Sequence, residues 1–502
     1  MNKKTLLDSN LSLLKRKRKK IVLCHGVFDH FHYGHLLHFK SAKKHGDVLV
    51  VSITDDLYVN KGPNRPFNDI YKRVSVISEL SIVDFVIVSK NFTAADIIKK
   101  IKPDFYAKGP DYKDKNKDIT GNILYEKKLT EKYGGKIIFT NDFTGSSSTI
   151  LNKNFINYNE DQLKLINDVK SKHDINKIIN YIKEFKNLKV IILGEPIIDK
   201  YIFTNVMGLG SKSPIISSNF LREEIYAGGS LVIANHLAAL GCKVSIILPK
   251  SEKIIDQQYI YKKLNNKIKI YYFNSYNWKI PEKIRYLTLF RSQKIFELNR
   301  LPELNLDEKM QNKMLAILKS KTKINDLLLV SDFGHGFINK FAIQGVENVK
   351  IFKSLNVQTN SSNLGFNFIS KYKKYDHVVL DEREMRLACV NNKLPLDDLI
   401  NYALNKKILR SPFSLTLGEK GGIYISNKNK IFKSPIFFEE PLDTIGSGDA
   451  YFVISSLLTK IKCPEVLIPF ISNCYAGLKT RIIGNNPVKI SDLVKTLSSI
   501  LA

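Results

Sequence analysis

Cysteine and long apolar runs are both scarce in this chain. The five cysteines among 502 residues are scattered, and no two of them form a C-x-x-C pair, so neither a disulfide framework nor a zinc ribbon is predicted. No apolar stretch reaches the ~18 residues that a membrane span needs. The first twenty residues lack the apolar core and cleavage site of a secretory signal. We therefore expect a cytoplasmic protein without a membrane span.

Acidic residues are too few to balance the basic ones, and the formal net charge is +30. A basic surface attracts phosphate backbones without any specific site, which raises the question of nucleic-acid binding. Eight basic residues and one acidic residue lie in the first twenty positions, and the rest of the excess is spread thinly over the chain. The run KRKRKK (15–20) is interpreted as a solvated lead-in to the first strand, and no specific nucleic-acid partner is expected.

The length predicts two domains or three, because one core rarely organises so long a chain. Short apolar runs alternate with helical patterns in two segments, which predicts an α/β fold with parallel sheets covered on both faces. The predicted bounds are a basic lead (1–20), a first α/β domain (21–150), a polar helical connector (151–188) and a second α/β domain (189–502).

The stretch HGVFDHFHYGH (25–35) contains four of the ten histidines of the chain. It follows the apolar run IVLC and precedes a predicted helix that begins near Gly34, so it lies at the carboxyl end of a strand, where parallel sheets bind ligands. A helix N-terminus attracts anions, and histidines can donate hydrogen bonds to phosphate oxygens. His32 and His35 could also share a metal ion, but the local sequence supplies no clear third ligand.

The pattern G-x-F-D-x-x-H-x-G-H within this stretch resembles the cytidylyltransferase-like nucleotidyltransferases. The resemblance extends over roughly residues 19 to 152, with Arg73 and the stretches KGPNRPF, PDFYAKGPDY and SSSTI. It is closest to the adenylyltransferase domain of the heptose-activating enzymes and implies a Rossmann-like fold.

The same resemblance implies that His32 and His35 are catalytic and stabilise charge on the α-phosphate while a sugar phosphate attacks it and pyrophosphate leaves. Asp29 would organise the loop, and Lys43 would contact phosphate. His30 and His38 are interpreted as structural. The residues expected to bind the nucleotide and its phosphates are Gly26, Phe28, Asp29, Gly34, Lys43, Arg65, Ser147, Ser148 and Thr149.

A second motif, DTIGSGDAYF (443–452), places small residues at a strand-to-helix turn. The amides of Gly446, Ser447 and Gly448 can form an anion hole there. Asp449 then lies beside the phosphate path, in position to act as a base for a substrate hydroxyl. The stretch GLGSKS (208–213) lacks the spacing of a phosphate-binding P-loop and is predicted to be a loop over the sugar site.

Together with YAGGSLVIANHLAALG, LTLGEKGG, KIRY, VSDFGHG and DEREM, this turn resembles the PfkB (ribokinase-like) sugar kinases over residues 189 to 502. The closest similarity is to heptose 7-phosphate kinase domains. The resemblance implies that Asp449 is the base and that Glu384 helps to hold hydrated Mg²⁺. The sugar-binding residues would be Asp199, Gly228 and Gly229. The residues near ATP and the anion hole would be Thr416, Gly418, Asp443, Thr444, Gly446, Ser447 and Gly448.

The chain departs from the family patterns at several places. The sugar-binding turn reads GGSLV, so Val232 stands where an asparagine is usual. Asp381 to Glu384 replaces an N-x-x-E magnesium motif, and QTNSSN (358–363) replaces a segment resembling Asp-Pro-Lys. The bifunctional heptose enzymes carry the kinase domain first, whereas here it is second.

The predicted function is bifunctional sugar activation: phosphorylation of a sugar, with heptose 7-phosphate favoured, and nucleotidyl transfer to a sugar 1-phosphate for surface polysaccharide. The cofactors would be Mg²⁺, ATP for the kinase, and ATP or CTP for the nucleotidyltransferase. The expected partners are sugar phosphates, nucleoside triphosphates and a separate phosphatase, and a homodimer is left open. One alternative is activation of glycerol phosphate or another polyol phosphate with CTP. Another is a basic nucleic-acid-binding protein built on degenerate α/β domains, against which the intact His32, His35 and Asp449 speak.

Overall fold

Strands and helices alternate along the computed structural model. It describes residues 17–59, 65–109, 122–140, 158–210, 212–250, 254–274, 278–288, 293–302, 306–361, 363 and 365–501. The chain divides into two units, Met1–Tyr158 with Val494–Ala502, and Asn159–Leu493. None of the described helices is both long enough and apolar enough to cross a membrane.

The first unit is built on one parallel sheet. Its strands are β1 (Ile21–Gly26), β2 (Val48–Thr54), β3 (Phe85–Ser89), β4 (Phe105–Lys108) and β5 (Lys136–Phe139). Its helices are α1 (Tyr33–Lys43), α2 (Ile70–Ser78), α3 (Ala95–Ile101) and α4 (Asn122–Lys132). The strands lie in the order β3-β2-β1-β4-β5, and every pairing is parallel. From β1, the strands β2 and β3 are added on one side of the sheet and β4 and β5 on the other. A ligand crevice is therefore expected at the carboxyl ends of β1 and β4.

Alternating side chains of the central strands supply the two cores of this unit. Ile21 and Leu23 face the layer that contains Ile98, whereas Val22 and Cys24 face the layer that contains Phe39. Because successive side chains of a strand point to opposite faces, an uninterrupted apolar strand such as IVLC requires helices on both sides. The predicted Rossmann-like fold is confirmed in this unit.

The second unit contains a larger sheet in the order β10-β9-β6-β13-β14-β15-β16-β17-β18, parallel as far as β16. Its strands are β6 (Lys189–Gly194), β9 (Lys243–Lys250), β10 (Lys269–Asn274), β13 (Leu327–Asp332), β14 (Phe352–Val357), β15 (His377–Asp381), β16 (Phe413–Thr416), β17 (Gly422–Ile425) and β18 (Ile431–Ser434). Strands β17 and β18 pair antiparallel at one edge.

Helices cover this sheet and also precede it. They are α5 (Glu160–Lys172), α6 (Ile175–Glu184), α7 (Ser230–Ala239), α8 (Ile254–Lys263), α9 (Glu308–Lys321), α10 (Lys340–Asn348), α11 (Glu382–Ala388), α12 (Leu396–Asn405), α13 (Ser447–Lys460) and α14 (Leu467–Thr480). The last helix of the chain is α15 (Ile490–Ile500). The predicted α/β class, with a ribokinase-like second domain, agrees with this architecture.

A separate sheet in the order β12-β11-β7-β8 belongs to the second unit. It is formed by β7 (Pro196–Leu209), β8 (Ile216–Gly229), β11 (Glu282–Thr288) and β12 (Lys294–Arg300). Strands β7 and β8 form a long antiparallel hairpin with its tip in the GLGSKS stretch. Asp199 lies ten residues from Leu209 along β7, a distance of about 33 Å in an extended strand. The prediction that GLGSKS covers the sugar site is therefore wrong, since it forms the far end of the hairpin.

Helices α5 and α6 fall within the segment predicted as a connector, and the structure counts them with the second unit. Leu165, Ile166 and Val169 are buried along one face of α5. Gln162 Nε2 donates to the carbonyl oxygen of Ile436 at 2.7 Å. These helices are thus packed elements rather than a solvated linker, and the predicted domain bounds stay a prediction.

Two candidate active sites

The loop after β1 is held in an unusual conformation. Phe28 and His30 have φ values of 51° and 47°, a region that side-chain-bearing residues rarely adopt. The carboxylate of Asp29, only 5% exposed, accepts hydrogen bonds from the amides of Phe67 at 2.7 Å and Asn68 at 3.0 Å. Asp29 therefore fixes the loop against the segment that precedes α2, as expected for an organising residue.

Two arginines strengthen the same corner of the first unit. Arg65 Nη1 lies 3.5 Å from an oxygen of Asp29, and both side chains are buried. Arg73 donates to the carbonyl oxygens of Val27 at 2.7 Å and Thr54 at 2.9 Å. Because these carbonyls belong to the ends of β1 and β2, Arg73 ties the two strand exits together. Arg65 was expected to bind nucleotide, and this geometry also gives it a structural partner.

His32 and His35 form a stacked pair at the start of α1, with ring centroids 3.9 Å apart. Nδ1 of His32 accepts from the amide of Gly34 at 3.1 Å, and Nδ1 of His35 lies 3.4 Å from the amide of His32. Since each Nδ1 accepts, the proton of each neutral ring is on Nε2. The pair can therefore present two N–H donors at a helix N-terminus, where an anion is favoured.

Lys43 does not lie near this anion-binding end. It is the last residue of α1, about 15 Å along the helix axis from Tyr33. Its ammonium donates to the carbonyl oxygen of Asp47 at 2.6 Å and forms an ion pair with Asp84. The expectation that Lys43 contacts phosphate is not supported, because the helix length separates it from the loop and because Asp84 already holds its charge. The predicted phosphate cradle of Ser147, Ser148 and Thr149 lies outside the described residues.

Lys108 and Glu126 were not predicted as site residues, although Lys108 lies within the stretch PDFYAKGPDY. Lys108 ends β4 beside the crevice, and its Nζ is 3.3 Å from an oxygen of Glu126. Tyr106 and the amide of Ala94 also donate to this carboxylate, at 2.9 and 2.8 Å. Burial opposes ionisation, but the charge of Lys108 and the amide of Ala94 hold the pKa of Glu126 below its usual value. A lysine at a strand exit was the available signal.

The turn DTIGSG in the second unit is ordered by one carboxylate. Asp443 accepts from the amide of Ile445 at 3.0 Å and from the amide of Gly484 at 2.9 Å. Gly446 caps α13 with a φ of 77°, and a Cβ on it would lie 2.8 Å from Asn485 Oδ1. Glycine therefore suits this position, and the turn lies at the start of α13, where the sequence predicts an anion hole.

Asp449 lies in the first turn of α13, directly after this hole. Its Oδ1 accepts from Gln358 Nε2 at 3.1 Å. Burial and the charge of Asp199 raise the pKa of Asp449 to about 6. A carboxylate with such a pKa is ionised near neutrality and still basic enough to accept a proton from a hydroxyl group. Gln358 belongs to the QTNSSN segment, so the structure shows what that segment contacts.

A cavity of about 270 Å³ opens beside Asp449. Asp199, 5% exposed, lies at its wall and accepts from Arg285 Nη1 at 2.6 Å and from Asn485 Nδ2 at 2.5 Å. A Cβ on Gly228 would lie 2.5 Å from a carboxylate oxygen of Asp199, so this glycine makes room for it. Other lining residues are Gly229, Lys283, Phe333, Gln358, Thr359, Asp381, Glu384, Thr416, Gly446 and Gly448.

No polar side chain takes the place of the asparagine that is absent from the GGSLV turn. Val232, which stands at this position, is apolar and fully buried. Asn485, which is far away in the sequence, places its amide beside Asp199 instead. Sequence analysis missed Asn485, since nothing local in RIIGNNP indicates contact with a strand almost 300 residues earlier.

A second cavity, about 740 Å³ in volume, adjoins the first. Both are lined by Asp381, Thr416 and Gly448. Gly418, Glu439, Phe438, Thr444, Ser447 and Asn473 also line the larger cavity. Thr416 and Gly418, which the resemblance expects near ATP, thus line the same cavity. The two cavities meet one residue from Asp449, an arrangement that suits transfer of a group from one bound molecule to another.

Glu384 lies near this junction in the first turn of α11. Its carboxylate accepts from the amides of Thr359 and Asp381, both at 2.9 Å. Asp381 in turn accepts from the amide of Glu384 at 2.6 Å. Carboxylate oxygens anchored in this way fit a hydrated Mg²⁺ ion, which prefers oxygen ligands and retains several waters. Within the described ranges, no group of three or more His, Cys, Asp and Glu side chains is arranged to hold a metal ion directly.

Comparison with known proteins agrees with this division. Residues 23–154 match the family model described as Cytidylyltransferase-like. The structure is similar to phosphofructokinase-2 from Escherichia coli in complex with potassium, with a TM-score of 0.51 and 12% identity, over 62% of this chain and 99% of that one. The chain therefore contains a segment that matches the cytidylyltransferase-like model, and it shares the fold of phosphofructokinase-2; the first predicted resemblance is confirmed over residues 23–154 and the second as a fold.

Curated relatives carry the name bifunctional protein HldE. The protein from Campylobacter jejuni subsp. doylei is 43% identical over 107 residues, which are 21% of this chain and 23% of the relative. The protein from Campylobacter fetus is 37% identical over 153 residues, which are 30% of this chain and 31% of the relative. The matches span less than a third of these relatives, so they characterise a part of each chain.

Proposed function

We propose that the chain is a bifunctional sugar-activating enzyme. Its second unit phosphorylates a sugar phosphate with ATP and Mg²⁺, and its first unit transfers a nucleotidyl group to a sugar 1-phosphate. The observation that carries the proposal is the position of Asp449, between an anion hole and the junction of two cavities. The HldE relatives and the fold of phosphofructokinase-2 favour this pair of activities.

In the kinase reaction, the acceptor lies in the smaller cavity and ATP in the larger one. Asp449 removes the proton from an acceptor hydroxyl as its oxygen attacks the γ-phosphorus. The bond from the γ-phosphorus to the bridging oxygen breaks, and ADP leaves. The amides of Gly446 and Gly448 stabilise the charge on the transferred group. Asp381 and Glu384 would hold Mg²⁺ through water, and the metal would neutralise the nucleotide phosphates.

Lys283 supports an acceptor that already carries a phosphate. It lines the acceptor cavity, with its ammonium 5.7 Å from the centre of the Phe333 ring. Its neighbour Arg285 is engaged by Asp199 at 2.6 Å and Glu297 at 2.9 Å. Within the described residues, no carboxylate lies within ion-pair distance of Lys283. An acceptor phosphate would supply the anion, as expected for heptose 7-phosphate or a similar sugar phosphate.

In the nucleotidyl transfer, a phosphate oxygen of the sugar 1-phosphate attacks the α-phosphorus of ATP or CTP in line, and pyrophosphate leaves. His32 and His35 donate Nε2–H groups to the α-phosphate oxygens as negative charge increases there. Asp29 holds the loop that carries them. The product would be a nucleotide sugar for surface polysaccharide.

A screen of the purified protein tests both halves. ATP or CTP is combined with a set of sugar phosphates, and ADP formation and pyrophosphate release are measured separately. We expect ADP with a phosphorylated sugar and pyrophosphate with a sugar 1-phosphate. If neither product forms with any pair, or if glycerol phosphate with CTP alone releases pyrophosphate, the proposed pathway is refuted.

A further inference from the structure

Lys479 is a fully buried lysine behind the kinase anion hole. It is the penultimate residue of α14, and its exposed fraction is 0%. Its Nζ donates to two backbone carbonyl oxygens, of Ile445 at 2.9 Å and of Ile482 at 3.2 Å. A Cβ on Gly446 would lie 3.4 Å from Lys479 Cε. The side chain therefore packs against the back of the phosphate-binding turn.

A buried ammonium is costly, because it gives up its hydration for a few protein dipoles. No carboxylate among the described residues forms an ion pair with Lys479. The negative end of the α14 dipole and the more distant charges of Asp443 and Asp449 offset part of this cost. A methionine would fill a similar space without a charge. Packing alone thus gives no reason for a lysine at this position.

The contact with Ile445 determines where the next amide points. The carbonyl of Ile445 and the N–H of Gly446 belong to one planar trans peptide, so they point in opposite directions. While Lys479 holds the carbonyl on the inner side, the Gly446 N–H is directed to the outer side, where the phosphate would bind. The contact with Ile482 joins the same ammonium to the loop that contains Asn485.

We propose that Lys479 is the fixed internal cation of the kinase anion hole. It is a positioning residue that orients the Gly446 amide toward the transferred phosphate and adds a positive charge behind it. The inference rests on the proposed kinase function and assigns a role to a residue outside both motifs.

Two substitutions separate the charge from the packing. Lys479→Ala removes the ammonium and leaves space for a small cation, whereas Lys479→Gln removes the charge and fills most of the space. Lys353→Ala is the control, because Lys353 is half-buried and, like Lys479, donates to a backbone carbonyl, that of Val349, at 3.0 Å. It lies near the amino end of β14, whereas Gln358, which contacts Asp449, follows the carboxyl end of this strand.

The readouts are kcat for ADP formation, the Kd of an ATP analogue and thermal melting, each with and without ammonium or potassium chloride. We expect kcat to fall on the order of 10² in both Lys479 variants, as when a donor is lost from an anion hole. Ammonium or potassium should restore activity in Lys479→Ala only, because the glutamine side chain occupies the cation's place. The parent and Lys353→Ala should respond to neither salt.

Several outcomes would overturn the inference. If the parent forms ADP and Lys479→Gln forms it with the same kcat, the positive charge of Lys479 is not needed. If kcat falls in both variants, no cation restores it and the melting temperature falls as well, Lys479 contributes to stability alone. If Lys479→Ala does not fold, the kcat of the glutamine variant decides. A parent that neither forms ADP nor binds the ATP analogue would refute the proposed kinase function and this inference with it.

Discussion

Replacing Asp449 by asparagine tests the kinase site most directly, because the change keeps the side-chain shape and removes the proton acceptor. Gln358 Nε2 donates to Oδ1 of Asp449 in the parent. In Asp449→Asn the amide oxygen takes that position, and the NH₂ group faces the acceptor hydroxyl with a donor where an acceptor is needed. We expect ADP formation to fall by on the order of 10² to 10⁴.

The same change should raise stability at alkaline pH. Burial and Asp199 raise the pKa of Asp449 from 3.8 to about 6, so the folded state disfavours the carboxylate by about 3 kcal/mol once it is ionised. Because the pKa of Asp449 is higher in the folded state than in the unfolded state, the free energy of unfolding is larger at low pH, where Asp449 is protonated, and falls as the pH rises to about 6. Asp449→Asn should therefore melt above the parent at pH 8, and the difference should shrink toward pH 4.

The assay measures ADP and melting temperature across this pH range. In the parent, kcat should rise with pH through about 6 as Asp449 ionises. Glu223→Gln is the control, because Glu223 is an exposed acid within β8, away from any helix end, and should change neither readout. If Asp449→Asn retains more than about a tenth of parental kcat, general-base catalysis by Asp449 is refuted.

Three further predictions concern the two reactions. His35→Ala should lower pyrophosphate release by on the order of 10² to 10³ and leave ADP formation unchanged; one substitution that abolishes both activities in a protein melting at the parental temperature would indicate a single composite site. Chelation should stop both reactions and Mg²⁺ should restore them, whereas stoichiometric zinc whose removal abolishes activity would show that the histidines bind metal. No nucleotide sugar should form from the starting sugar phosphate and nucleotides until a phosphatase is added, and one-pot conversion without it would exclude a bisphosphate intermediate.

The two turns proposed to bind anions could be located from the sequence because their requirements are local. Gly446 needs a positive φ, and Asp449 follows it within one helical turn, so a short stretch of sequence carries the whole arrangement. The same holds for His32 and His35, which cap one helix. Motifs of this kind can be recognised in a single sequence because each backbone conformation, such as a positive φ or a helix cap, requires particular residue types.

Two residues of the smaller cavity, Gln358 and Asn485, could not be predicted, because their contacts join distant parts of the chain. Gln358 reaches Asp449 and Asn485 reaches Asp199 across 91 and 286 residues. The expectation for Lys43 came from the resemblance alone, which did not take into account the length of the helix that carries this residue. The error at GLGSKS arose because the length of the β7–β8 hairpin is not evident from the local sequence.

The junction of the two cavities at Gly448 bears on whether ATP is hydrolysed when no sugar is bound. In a kinase built this way, whatever fills the acceptor cavity is presented to the base, and a space of about 270 Å³ admits several water molecules when no sugar is bound. Asp449 can accept a proton from a water molecule as well as from a sugar hydroxyl. The choice between phosphorylation of the sugar and hydrolysis of ATP then depends on whether a sugar fills the cavity. When the sugar is scarce, the site would hydrolyse ATP slowly.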